Sequence, residues 1–117
     1  SAERWTAARD SALAVEKPRG VEAANAALRH VERSLTRPAG LRTRPWFRNL
    51  VYAADEDNGY ADVVFPSVAE AIRSGDRALV DRELTDLAAR FDSAARDLDD
   101  ATRAVGGAAV SAAAAGQ

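Results

Sequence analysis

From Val80 to Val105 the apolar residues fall in alternating steps of four and three: Val80, Leu84, Leu87, Phe91, Ala94, Leu98, Ala101 and Val105. Residues spaced this way share one face of an α-helix, so the run predicts a single long helix with one apolar seam and Asp and Arg on its outer positions. A seam of that length has to be covered by other elements. A chain of 117 residues has room for one domain around it and is too short for two ordinary ones. Alanine is abundant, and the breakers are seven Gly and four Pro, which points to an all-α fold.

Three further helices are expected. Residues 3–16 place Trp5, Ala8, Ala12 and Val15 on one face, and Lys17-Pro18-Arg19-Gly20 interrupts them. Val21, Ala24, Leu28, Val31 and Leu35 form a second stripe, which Arg37-Pro38-Ala39-Gly40 ends. Ser67 followed by Glu70 reads as a capping box for a short helix carrying Val68, Ala71 and Ile72. Ser74-Gly75 closes it, and Asp76 is placed to cap the long helix. Gly106-Gly107 is expected to stop that helix, leaving residues 106–117 as a low-complexity tail outside a core of about 21–105.

The side chains exclude several kinds of chemistry. A net charge of −2 with interspersed signs gives no basic face for nucleic acid or an anionic membrane. No apolar run approaches the roughly 20 residues of a membrane span. The absence of cysteine removes thiolate nucleophiles, disulfides and cysteine metal sites, and is compatible with either redox compartment. His30, the only histidine, lies off the stripe of its helix and reads as a surface or boundary residue, so no ordinary zinc set is expected. Asp97, Asp99 and Asp100 read as a solvated face. Asp55, Glu56 and Asp57 lack the spacing of a calcium loop. Arg29, Arg33, Arg82 and Arg90 fall mostly off the apolar faces, against a small helical enzyme of the chorismate-mutase kind. By its own groups the chain reads as an interaction or accessory domain.

Residues 41–65 have no sustained helical period, yet the stretch around them holds five of the seven aromatic residues: Trp46, Phe47, Tyr52, Tyr60 and Phe65. The ordered motifs are Val31-Glu32-Arg33, Pro38 to Leu41, Arg44 to Arg48 (Arg-Pro-Trp-Phe-Arg), Val51-Tyr52-Ala53, Gly59-Tyr60 and Phe65-Pro66-Ser67. Together they resemble the transferrin-receptor-like dimerisation domain, the C-terminal helical domain of the glutamate carboxypeptidase II group of zinc peptidases and of the transferrin receptor. The resemblance covers roughly Val21 to Val105; residues 1–17 and the tail match as generic helix.

The resemblance implies a four-helix bundle with a long irregular, aromatic-rich connection, forming a single domain over 1–117. It implies a homodimer, and a long loop that packs against the protease domain of the same parent chain, where the zinc and its ligands reside. No catalytic residue, metal or cofactor is expected in this chain itself. Tyr60 occupies the position of a substrate-contacting tyrosine, and Asn58 matches an asparagine lining the same pocket. Gly59 stands where glutamate-specific enzymes carry lysine, which removes a cation for a substrate carboxylate. Trp46 and Phe47 are expected to anchor the connection under the bundle, and Ser67 to cap the short helix in place of a family glycine. The alternatives are an interaction module of a catalytically inactive receptor-like relative, and a free-standing small helical enzyme. The compartment of the parent stays open, periplasmic or extracellular included.

Overall fold

The computed structural model describes residues 2–14 and 21–115, the side chains of Ala12 and of 107–115 apart. Four helices account for most of it: α1 (Ala2–Leu13), α2 (Val21–Ser34), α3 (Pro66–Ser74) and α4 (Arg77–Ala115). Two short strands, β1 (Tyr52–Ala54) and β2 (Asp62–Val64), lie between α2 and α3. Val15 and the Lys17–Gly20 break lie outside the described residues. The contacts divide the chain into two compact units, one of residues 1–33 and 93–117, the other of 34–92. α4 contributes to both.

In the first unit Ala24 of α2 and Val105 of α4 are buried, with Trp5, Ala8 and Ala104 packed against them. Small residues on these faces let the helices approach closely. Arg4 reaches Asp99 through a two-pronged ion pair of 2.8 and 2.9 Å; it is largely exposed and worth at most about 1 kcal/mol.

The second unit is built on Leu41, Leu50, Ala53 and Leu87, with Phe47 and Val68 against them. α2 ends at Ser34, ahead of the Arg37–Gly40 break, because Leu35 and Thr36 leave the helix for extended pairing. The Leu50 amide donates to the Leu35 carbonyl, and Thr36 bridges Asn49 in antiparallel fashion. Gly40 turns the chain at φ +70°, where an added Cβ would lie 2.0 Å from the Pro45 carbonyl oxygen. The stretch expected to be irregular contains a hairpin: Tyr52 pairs with Val64, Ala53 with Val63 and Ala54 with Asp62.

Several expectations hold. Asp76 caps α4 by accepting the Leu79 amide at 3.0 Å. Gly75 closes α3 in the left-handed conformation. Leu87, Ala94, Ala101 and Val105 of the seam are buried, whereas Leu84 and Phe91 of the same seam are 49% and 42% exposed. Other expectations are corrected. Ser67 does not cap α3: the cap position is Phe65 at φ 51°, without a side-chain bond, and Pro66 opens the helix. Proline's fixed φ suits the first helical turn and moves the start ahead of Ser67. Gly106-Gly107 does not stop α4, which continues to Ala115; two glycines cost about 1 kcal/mol each relative to alanine, and the alanines that follow are the best helix formers. Trp46 is no buried anchor, being 76% exposed, whereas Phe47 does pack on the core.

Candidate functional site

The loop between β1 and β2 is shaped by its own polar groups. Asp55 Oδ1 accepts the amides of Asp57 and Asn58 at 2.8 and 3.0 Å. Those two bonds favour the charged carboxylate and hold its pKa below the ordinary aspartate range. The Asp55 amide donates to the Ala61 carbonyl and the Ala61 amide to the Asn58 carbonyl. Asn58 Oδ1 accepts the Tyr60 amide at 3.3 Å. Asn58 and Tyr60, the two expected site residues, therefore sit together at the hairpin tip, and the Tyr60 side chain is fully exposed. Gly59 stands between them with open space around it.

Behind the tip lies a polar cluster the sequence reading did not pick out. Glu70 of α3 is buried and accepts Thr43 twice, from the amide at 3.2 Å and from Oγ1 at 2.7 Å. Thr43 Oγ1 also meets Glu56. Arg44 donates from Nη1 to the Ala54 carbonyl at 2.6 Å. Its Nε lies 3.0 Å from Glu56 Oε1 and its Nη2 3.8 Å from Glu70 Oε1. Both nitrogens are buried and neither aligns for a hydrogen bond, so these two contacts are ionic. The guanidinium sits over the Phe47 ring, 5.7 Å from its centroid. In the sequence Arg44 is visible only as part of the Arg-Pro-aromatic-aromatic-Arg motif and Glu70 reads as part of a local cap; Glu70 and Thr43 stand 27 positions apart, which hides their pairing from any local pattern.

Elsewhere the structure offers little chemistry. His30, Arg29, Arg33 and Arg82 are exposed, and Arg90 is engaged with Asp86 and the Thr36 carbonyl. A cleft of about 240 Å³ in the first unit is lined mainly by Trp5, Leu13, Val21, Ala24 and Val105, with no convergent titratable pair. Among the described residues no three His, Asp or Glu side chains come together to hold a metal ion. No helix among the described residues is long and apolar enough to cross a membrane.

Comparison with known proteins agrees with the motif reading. A stretch of 86 residues, 74% of the chain, is 30% identical to an inactive zinc metalloprotease of Schizosaccharomyces pombe, of which it covers 11%. A stretch of 70 residues, 57% of the chain, is 37% identical to a probable glutamate carboxypeptidase, LAMP1, of Arabidopsis thaliana, of which it covers 10%. The chain thus spans about a tenth of the length of these curated relatives. No solved structure matches it. The sequence model of the transferrin receptor-like dimerisation domain matches residues 1–99, taking in the first helix as well as the stretch from Val21 on. The chain belongs to the transferrin receptor-like dimerisation domain family.

Proposed function

We propose that this chain is a non-catalytic module that pairs two copies of a longer polypeptide and completes the substrate pocket of a zinc-dependent peptidase domain in that polypeptide. In this reading the four helices pack as a bundle within a single domain spanning 1–117, and the hairpin between β1 and β2 reaches the peptidase domain. The observation that carries it is the tip itself: a tyrosine with its whole side chain in solvent, on a loop held in shape by Asp55 and Asn58. None of the described residues covers the ring, which leaves it open to a partner outside the domain. Tyr60 would donate its hydroxyl to the terminal carboxylate of a peptide, with Asn58 beside it.

The test is Tyr60→Phe in the longer polypeptide. A hydrogen bond to a charged group is worth about 1.5–3 kcal/mol, so kcat/KM should fall roughly 10- to 100-fold with thermal stability unchanged. Full activity combined with a loss of several degrees in melting temperature would make Tyr60 a structural residue and end this reading.

The name of the Schizosaccharomyces pombe relative favours a second reading, in which the parent has lost its peptidase activity and the domain serves association alone. The His, Asp and Glu zinc ligands of the peptidase region decide between the two: their presence supports the first, their loss the second.

A further inference from the structure

We propose that Arg44 is the positioning residue of the hairpin tip, clamping the base of the loop that carries Asn58 and Tyr60 so that the tip meets its target already shaped. Only the last step, the contact with a peptide, rests on the reading of Tyr60 given above.

The strands themselves are too short to hold the tip. Three residues pair with three, and an isolated two-stranded hairpin of that size is marginal in water. The loop beyond them is tied by its own backbone and by the Asp55 and Asn58 side chains, none of which reaches the core. Arg44 supplies the missing link. One nitrogen holds the carbonyl at the last residue of β1, a second faces Glu56 in the loop, and a third faces Glu70 on α3. The guanidinium rests on Phe47, whose ring packs on Leu41, Leu50, Ala53 and Leu87. Ala53 seats β1 in the core and Thr43 also meets Glu56, but only the Arg44 guanidinium joins the end of β1, the loop and α3 in one planar group. The arginine side chain is only 14% exposed, so water competes poorly for it. Thr43, fixed by Glu70, sets the backbone from which Arg44 extends.

Arginine is needed for this arrangement. Its fork presents five N–H groups in a fixed plane, whereas the single ammonium of lysine cannot reach a carbonyl and two carboxylates in three directions at once.

Amide hydrogen exchange on the longer polypeptide tests the clamp. Arg44→Lys should speed exchange of the Asp55–Ala61 amides about tenfold, the loss of roughly one good hydrogen bond, and leave α4 amides unchanged. No change at the tip, or an equal rise along α4, overturns the proposal. Should Arg44→Lys not fold, Glu56→Gln, at an exposed position, carries the test with the same tip-confined rise expected and the same two contrary results. Hydrolysis of short peptides with a free C-terminal carboxylate adds the functional arm: Arg44→Lys should raise KM with kcat changed less, and Tyr60→Phe sets the scale. If Tyr60→Phe raises KM and Arg44→Lys does not, the positioning role falls. If the tip loosens but neither Tyr60→Phe nor the wild-type protein shows an effect on any peptide, the clamp stands and the substrate reading of Tyr60 falls.

Discussion

Arg37 and Glu83, 46 residues apart in the chain, meet in a 2.8 Å ion pair with both side chains mostly buried, 17% and 13% exposed. Arg37 also donates to the Gly40 carbonyl at 3.0 Å and faces Asp86 at 3.4 Å. Asp86 in turn takes Arg90, whose other arm holds the Thr36 carbonyl. This network ties the connection after α2 to the first turns of α4. Glu83→Gln should destabilise the chain by about 1.5–3 kcal/mol, the range for a hydrogen bond to a charged group. It should lower the urea midpoint without changing the slope. An unchanged midpoint would show that Asp86 alone satisfies Arg37.

Two glycines in the same left-handed conformation should respond differently to alanine. At Gly75, φ +71°, nothing lies within 4 Å of an added Cβ, so only the backbone cost of about 1–2 kcal/mol applies. At Gly40 the methyl would meet Pro45 backbone at 2.0 to 2.9 Å, so the turn has to move and the loss should exceed about 3 kcal/mol. Thermal unfolding of Gly40→Ala and Gly75→Ala checks the order. Equal losses would show that the Gly40 turn relaxes freely.

Ser67 is buried on the first turn of α3, and its hydroxyl has no hydrogen-bond partner among the described residues. Removing an unsatisfied buried hydroxyl relieves a desolvation cost. Ser67→Ala should therefore be neutral or stabilising by about 1 kcal/mol. A loss of that size in chemical denaturation would reveal a partner for the hydroxyl, such as an ordered water.

Asp55 gives the tip a pH dependence of definite sign. Its folded pKa is lowered by the Asp57 and Asn58 amides, so its contribution is fully present above the unfolded value of about 3.9. It is lost as pH falls through the lower, folded value. Carboxyl-carbon NMR titration should place Asp55 below an ordinary aspartate, with the Asp57 and Asn58 amides losing protection over that same range. Asp55→Asn should abolish the titration and keep the turn, because its side-chain oxygen still accepts. A midpoint at or above the ordinary value would contradict the turn geometry.

What could be read from the sequence was local. The α4 seam announces itself through spacing alone, and Asp76 sits immediately before the helix it caps. Ser67 and Glu70 also look local, but the same two letters serve a different purpose: Pro66 starts the helix earlier, and Glu70 turns to Thr43. β1 and β2 escaped notice because three residues such as Tyr-Ala-Ala are too few for alternation to show, and their pairing depends on a return ten residues later. Trp46, which the resemblance makes an anchor of the connection, lies outside. The positions of Asn58 and Tyr60 came from ordered motifs; the clamp behind them joins Arg44 to Ala54, Glu56 and Glu70, contacts that exist only once the chain has folded.

Association is the property the family name states, and sedimentation equilibrium measures it directly. The longer polypeptide, with and without this domain, should be compared over about 0.1–10 μM. A standard interface buries about 1,600 Å² and need not involve covalent links, there being no cysteine in this chain. The intact protein is predicted to be a dimer that meets through the same patch on each copy, and the truncated one a monomer across that range. An intact protein that stays monomeric at 10 μM, or a dimer that survives removal of the domain unchanged, would contradict the account.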